Sequence, residues 1–372
     1  VDGVVNPSKS SLTSILERNY QGRRVLVTGH NGFVGSWLSY VLANAGAEVT
    51  GLSLALQPYG SAERDGLLEL VRTIEGDITV PATVQRVVDE CAPEHVFHLA
   101  AQALVLNSYS DPVRTFSTNV MGTVNVLESL RHQSSIRTCV VVTSDKCYAT
   151  TDRPQIETDP LGGDDPYSAS KAAEELVTNA YRSSFFERVS FGIATARAGN
   201  IVGGGDWAEN RIVPDCVRAL RDGVPVTLRQ PSAIRPWQHV LDAVAGYIRL
   251  GDALNRAGGE YSQAWNFGPA PGTAVSVGDF VNTFFNRWRS KGGSALEPLF
   301  GDSVVNERAT LILESTKAQS ELGWRPLLDT DTTIGWTVDW YYEALHALDF
   351  DARAVTESQV AQFLRLDSRL SA

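Results

Sequence analysis

One stretch near the start constrains the fold more than any other. Arg23-Arg-Val-Leu-Val-Thr28 reads as a strand and runs directly into Gly29-His-Asn-Gly-Phe-Val-Gly35. Ser36 to Ala45 follows with Leu38, Val41 and Leu42 at helical spacing, and Gly46 stops that helix. Ala47 to Leu54 reads as a second strand. The unit is strand, glycine turn, helix and strand over about thirty residues, the context that a dinucleotide fingerprint requires. Gly29 makes the tight turn, Gly32 lets backbone approach a pyrophosphate, and Gly35 lets helix and strand pack closely. The phosphates then sit at the helix N-terminus. The chain has 31 glycines and the spacing is GxxGxxG rather than GxGxxG, so the flanking elements carry this reading.

The acidic residue that commonly holds the adenosine ribose is missing. The second strand ends in Gly51-Leu-Ser53. Ser53 is a neutral acceptor that neither repels a 2′-phosphate nor clamps a 2′-hydroxyl strongly. A dinucleotide is therefore better defined here than the choice between NAD and NADP. Asn31, Phe33 and Val34 lie inside the glycine turn and belong to the same expected site. Thr73 to Ile78 reads as a strand whose end, Asp77-Ile78, could meet an adenine edge. His95 to Gln102 reads as a fourth strand, and the small pair Ala100-Ala101 would let backbone lie against a cofactor. His98, between Phe97 and Leu99, is expected to be a hydrogen-bonded core residue. Residues 111 to 131 read as one helix started by Asp111-Pro112, with Phe116, Val120, Val124, Leu127 and Leu130 as its apolar stripe. Asn119 lies at the edge of that stripe, facing either solvent or the active-site strand.

Strands and helices alternate along the chain. The fold class is α/β, a Rossmann-type doubly wound parallel sheet with a smaller, mixed C-terminal substrate lobe. Residues 1–198 are expected to form the dinucleotide-binding domain, with 239–265 returning to it and 199–372 mainly forming the substrate lobe. A strand about Ala309 to Leu313 and a surface helix after Phe350 complete the expectation. No run of about 18 apolar residues marks a membrane span. Residues 1 to 20 are mixed and polar and lack a secretory core. Cys91, Cys139, Cys147 and Cys216 show no CxxC pair and no metal spacing. Buried free thiols in a cytoplasmic protein, with no metal, are expected. A net charge of −11 disfavours a nucleic-acid surface.

The chemistry gathers in two later stretches. Cys139-Val-Val-Val142 reads as a buried strand that ends in Thr143-Ser-Asp-Lys-Cys-Tyr148. Asp165-Pro166 then caps a helix that carries Tyr167 and Lys171 one turn apart on one face. Only five of the 32 Lys and Arg residues are Lys, and two of the five fall here. A free Tyr ionises near pH ~10, and a neighbouring ammonium lowers that value. With Lys171 and a positive nicotinamide beside it, Tyr167 becomes a base for a carbinol proton, and Ser144 hydrogen-bonds the same oxygen.

These residues resemble the extended short-chain dehydrogenase/reductases that act on nucleotide sugars. The likeness spans roughly residues 20 to 345. Within that family the chain is similar to the CDP-glucose 4,6-dehydratases. The similar pieces are Gly29 to Trp37, Val96 to Gln102, Thr118 to Thr123, Thr143 to Tyr148, Asp159 to Gly163, Ala196 to Asn200, Gly203 to Trp207 and Ile234 to Val240. The resemblance implies NAD as cofactor, held by Gly29, Asn31, Gly32, Phe33, Val34, Gly35, Ser53, Asp77, Ile78, Ala100, Ala101, Gln102, Asn119, Tyr167 and Lys171. It implies CDP-glucose or a related nucleotide sugar as substrate, held by Asn200, Arg211, Arg235 and His239. The catalytic set becomes Ser144, Asp145, Lys146, Tyr167 and Lys171. Asp145 is the expected acid for the C6 oxygen. Lys146 stands where the sister dTDP-glucose enzymes carry glutamate, and is either the C5 base or the group that orients Asp145 and substrate. Trp207 and Trp237 border the pocket or pack in the core, and Arg229 is a phosphate donor or a surface charge. The resemblance also implies a homodimer, or a dimer of dimers, paired through the helices at Asp111 to Arg131 and Pro166 to Tyr181.

Overall fold

The computed structural model describes residues 10–55, 66–151, 153–186, 191–301 and 311–371. Helix α1 (Leu12–Asn19), capped by Ser11, precedes the first unit: β1 (Arg24–Thr28), α2 (Phe33–Asn44) and β2 (Glu48–Ser53). Next come β3 (Arg72–Glu75), α3 (Pro81–Cys91) and β4 (His95–His98). Then α4 (Val105–Ser110), α5 (Pro112–Phe116), a π turn (Ser117–Met121) and α6 (Gly122–Arg131) lead to β5 (Thr138–Val142). After α7 (Pro166–Tyr181), β6 (Gly192–Ala198) and α8 (Ile212–Asp222), the long α9 (Val240–Tyr261) feeds β7 (Ala264–Phe267). Four helices close the described chain: α10 (Val277–Ser290), α11 (Thr316–Glu321), α12 (Thr330–His346) and α13 (Ala352–Ser371).

The seven strands lie in the order β7-β6-β5-β4-β1-β2-β3, and every pairing is parallel. The order reverses between β1 and β4, which is where open α/β sheets place ligands. One face of the sheet is covered by a core that includes α2 and α9, and the other by a core of α3 and α6 residues such as Val84, Val88, Val126 and Leu130. This is the expected Rossmann-type doubly wound sheet.

Several local expectations need correction. The stretch 111–131 is helical, but the π turn inserts a residue into its ladder and rotates the buried face. Thr115, Asn119, Thr123, Val126 and Leu130 point inward, while Phe116 is exposed. Strand β4 stops at His98, short of Gln102. Asp145–Cys147 forms a 3₁₀ turn whose N-cap is Ser144. The tail helix α13 is not a surface appendage. Phe363 is buried, and Asp367 accepts from the Leu12 amide at 2.5 Å and from Arg249 at 2.6 Å. The expected strand at 309–313 lies partly outside the described residues, and Leu313 makes only an isolated bridge to Gln155.

Candidate active site

The glycine turn has the geometry that a dinucleotide needs. Gly29 has φ +74°, and a Cβ there would lie 2.7 Å from the Ala100 nitrogen. A Cβ on Gly35 would lie 2.0 Å from the Gly29 carbonyl oxygen. Gly32 is the N-cap of α2, so the first free amides of that helix face the cleft. The cradle thus leaves room for a phosphate only because these side chains are absent. At the other end of the cleft the missing acid is replaced by a neutral chain. Ser53 Oγ lies 2.8 Å from His30 Nδ1, and His30 Nε2 lies 3.0 Å from Thr73 Oγ1. Burial pulls His30 down to about 4, so the imidazole is neutral. Gly51 makes room for it, since a Cβ there would lie 2.1 Å from the ring.

One cleft of about 580 Å³ joins this cradle to the catalytic stretch. Gly29, Asn31, Gly32, Phe33, Val34, Gly35, Ser53, Asp77, Ile78, Ala100 and Ala101 line its cofactor end. Ser144, Asp145, Lys146, Tyr167 and Lys171 line its middle, and Asn200, Arg211 and Arg235 its far end. Gln102, Asn119 and His239 are not among the residues that line it. Asn119 accepts from the Gln102 amide at 2.7 Å and donates to the Gln102 carbonyl at 3.1 Å and to Ser170 Oγ at 2.8 Å. The Gln102 side chain is bound to Leu104 and Thr115. Both residues therefore shape the loop that lines the cleft. His239 caps α9, accepting from the Leu241 amide at 3.3 Å, and its ring lies edge-on to Trp37 and Trp336. It is fully buried, which pulls it down to about 3. Trp237 and Arg229 line the cleft, whereas Trp207 packs against Trp340 and Tyr341. His98 is the expected core residue, bonded to Thr28 and Thr123.

The catalytic groups meet because β5 ends and α7 begins at the same edge of the sheet. Asp165 caps α7 by accepting from the Ser168 amide at 2.9 Å, and Pro166 fits its first turn. Ser144 donates to Asp145 Oδ1 at 2.9 Å. The other carboxylate oxygen, Oδ2, is buried and has no hydrogen-bond partner. Burial raises Asp145 above the usual carboxylate range, against the pull of Lys146, Ser144 and Arg235. Burial also raises Tyr167, and the Lys171 ammonium and the Ser144 hydroxyl pull it back. In the protein alone burial outweighs Lys171, the reverse of the expected net shift. Lys171 Nζ lies 3.0 Å from both oxygens of Glu174 and donates to the Val142 carbonyl at 3.5 Å. At the far end, Asp206 holds Arg211 charged through a contact of 3.2 Å.

Sequence reasoning missed the support behind this site. Glu175 accepts from Thr143 Oγ1 at 2.5 Å, from Thr195 Oγ1 at 2.7 Å, and from Arg197 at 2.9 and 2.8 Å. Arg197 also donates to the Tyr148 hydroxyl at 2.7 Å, which in turn donates to Asn266 at 2.6 Å. The signal was present in outline. Glu174 and Glu175 follow Lys171 by three and four residues, so all three lie on neighbouring parts of one helix face.

A family model described as the NAD dependent epimerase/dehydratase family matches residues 25–268. The chain belongs to that family. It is 41% identical over 338 residues to the CDP-glucose 4,6-dehydratase of Salmonella typhimurium, covering 88% of this chain and 93% of the relative. It is 30% identical over 329 residues to the dTDP-glucose 4,6-dehydratase of Streptomyces antibioticus, covering 85% and 92%. Among solved structures, the UDP-glucose 4-epimerase of Thermus thermophilus in complex with NAD superposes with a TM-score of 0.72 at 26% identity, covering 86% of this chain and 98% of the epimerase. The extended short-chain dehydrogenase/reductase fold, the NAD cofactor and a nucleotide-sugar substrate are thus common ground.

Proposed function

We propose that this protein is an NAD-dependent CDP-glucose 4,6-dehydratase, a hydro-lyase. The observation that carries the proposal is the Ser144-Asp145-Lys146 turn facing Tyr167 and Lys171 in one cleft with the glycine cradle. The identity of 41% with a CDP-glucose 4,6-dehydratase supports the nucleotide. When bound along the cradle, NAD⁺ supplies a hydride acceptor that later returns the hydride.

The residues divide the work as follows. Tyr167, as phenolate, takes the proton of the C4 hydroxyl, and Ser144 holds the same oxygen. Lys171 stabilises the phenolate by its charge. The C4 ketone acidifies the C5 proton. Lys146 is the acceptor of that proton. Asp145 enters protonated, as its burial favours, and its unpaired Oδ2 gives the proton to the C6 oxygen, which leaves as water. The sugar gains hydride at C6 while Lys146 returns its proton to C5, and it ends as CDP-4-keto-6-deoxy-glucose. Arg211, Arg235 and Asn200 hold the substrate phosphates. The guanidinium fork suits phosphate oxygens, and the buried Arg235 is anchored by donating to the Ile234 carbonyl at 3.0 Å.

We place the enzyme in the cytoplasm as a homodimer. All four cysteines are free and buried, which suits a reducing compartment. Val113, Phe116, Met121, Leu176 and Phe185 are exposed on α5, the π turn, α7 and the π turn after it, an apolar face that suits pairing of those helices. Replacing Val113 by Glu is expected to yield monomers in sedimentation.

Incubation with CDP-glucose and NAD⁺ should give a product lighter by one water, with a 4-keto-6-deoxy sugar by NMR. An isomer of equal mass would make the protein an epimerase instead. For Lys146, K146M should abolish solvent-deuterium exchange at C5 of a 4-keto substrate. Undiminished exchange would leave Lys146 as an orienting group only.

A further inference from the structure

Of the buried charged groups that the mechanism leaves unused, one lies against the Tyr167–Lys171 pair. Glu174 is 2% exposed and lies on α7 between Lys171 and Glu175; its Oε2 accepts from Lys171 Nζ at 3.0 Å, and its Oε1, 3.0 Å from the same nitrogen, has no hydrogen-bond partner among the described residues. A carboxylate in that position has no packing reason to be there, because an apolar side chain would fill the space without a desolvation penalty. Its contact is with the one amine that governs Tyr167.

We propose that Glu174 is a positioning residue that grips Lys171 from the protein side of the cleft and sets the pH window in which an ammonium faces an ionised Tyr167. The inference rests on the functional reading above. Lys171 Nζ is held between Glu174, which does not line the cleft, and the carbonyl of Val142, which does. The negative charge of Glu174 acts on both partners of the acid–base pair. It raises Lys171, helping to overcome the burial that would strip its proton. It also raises Tyr167, adding to burial and opposing Lys171. Both effects have one sign, so Glu174 moves the whole window toward alkaline pH.

The other groups facing this pair do not substitute for it. From its own helix, Glu175 is occupied by Arg197 and lies below the usual carboxylate range. From the 3₁₀ turn, the Cys147 thiol is pushed far up by burial. From β4, His98 is pulled down to about 3 by burial and is neutral. Arg197 from β6 and Arg211 at the start of α8 are held charged by Glu175 and Asp206. Burial pushes the Tyr247 hydroxyl of α9 well up. Helices α4 and α5 and the π turn contribute hydroxyls and an amide, such as Ser108 and Asn119. Asp145, raised by burial, and Lys146 beside it are the remaining ionisable groups of the cleft, and D145N and K146M control for them. Glu174 itself is raised to about 7 by burial, so it changes charge within the working range.

The test is the pH profile of single-turnover NADH formation from CDP-glucose and NAD⁺, measured for wild type, E174Q and E174D. Removing the charge should move both limbs of the bell to lower pH by about one unit. E174Q is then about tenfold faster than wild type on the acid limb and about tenfold slower on the alkaline limb. The height at the maximum should change little, and E174D, which keeps the charge, should stay near wild type. Unmoved limbs in E174Q, or a lower maximum without displacement, would overturn the proposal and leave Glu174 a merely structural group. Should E174Q fail to fold, E174M fills the same volume without a charge and carries the same expectation. If wild type forms no NADH from CDP-glucose, the functional reading fails instead. The ultraviolet phenolate titration of wild type minus Y167F still reads Tyr167, and E174Q must lower it.

Discussion

Glu174 and Glu175 are neighbours on one helix, equally buried, and they behave in opposite ways. Burial pushes Glu175 up, but Arg197, Thr143 and Thr195 together pull it below the usual carboxylate range. Burial pushes Glu174 up to about 7, and its single partner, Lys171, does not bring it back. The difference lies in the count and geometry of donors. Glu175 belongs to the support behind β5 and β6, where the Arg197 fork and two hydroxyls fill its lone pairs. Glu174 belongs to the reacting end, where one ammonium serves two anions. A buried charge that is fully satisfied makes scaffold, and one that is half satisfied makes a titrating group.

The comparison can be broken from the scaffold side first. R197M leaves Glu175 buried without its fork and should destabilise the fold by about 3–5 kcal/mol. Urea denaturation reads this directly, and a loss below about 1 kcal/mol would mean that the ion pair is not what holds the sheet edge. The next effect is a slope with pH. The folded value of Glu174 lies above its unfolded value, so the folded state holds the extra proton. The stability it contributes is fully present below the unfolded value of 4.5 and is lost as pH rises through about 7. Wild type should therefore lose stability relative to E174Q across that window, on the order of 3 kcal/mol. Glu175 has the opposite sign, because its depressed value gives stability that is lost only as pH falls through it. A parallel course of the two curves would refute the assignment. The smallest effect is expected from Y148F, which removes one hydroxyl between Arg197 and Asn266 while the fork on Glu175 remains. About 1 kcal/mol of stability should go, with the pH profile of hydride transfer unmoved.

Much of the site was legible because its chemistry is local in sequence. Gly29, Gly32 and Gly35 share one turn, Ser144 to Lys146 one strand end, and Tyr167 and Lys171 one helical turn. Residues of this kind need only a strand or helix to present them. The errors fell where a side chain's direction depends on a neighbour far along the chain. Asn119 and Gln102 bind each other across the π turn, which no period of 3.6 predicts. His239 faces Trp37 and Trp336, residues about two hundred and about one hundred positions away, so its neighbours in sequence did not reveal its burial. The tail helix looked superficial because its one buried charge, Asp367, is explained only by the distant Arg249 and the Leu12 amide.

The sequence by itself determined the alternating strands and helices, the phosphate cradle and the identity of the reacting groups, since these follow from side-chain periodicity and from glycines that only one backbone geometry requires. Tertiary structure alone decided what state those groups are in. The ionisation of Tyr167, Asp145, Glu174 and Glu175 depends on burial and on donors arriving from β5, β6 and the 3₁₀ turn. Desolvation and hydrogen bonding act through space, and two adjacent glutamates in the sequence carry no mark of which one the fold will satisfy.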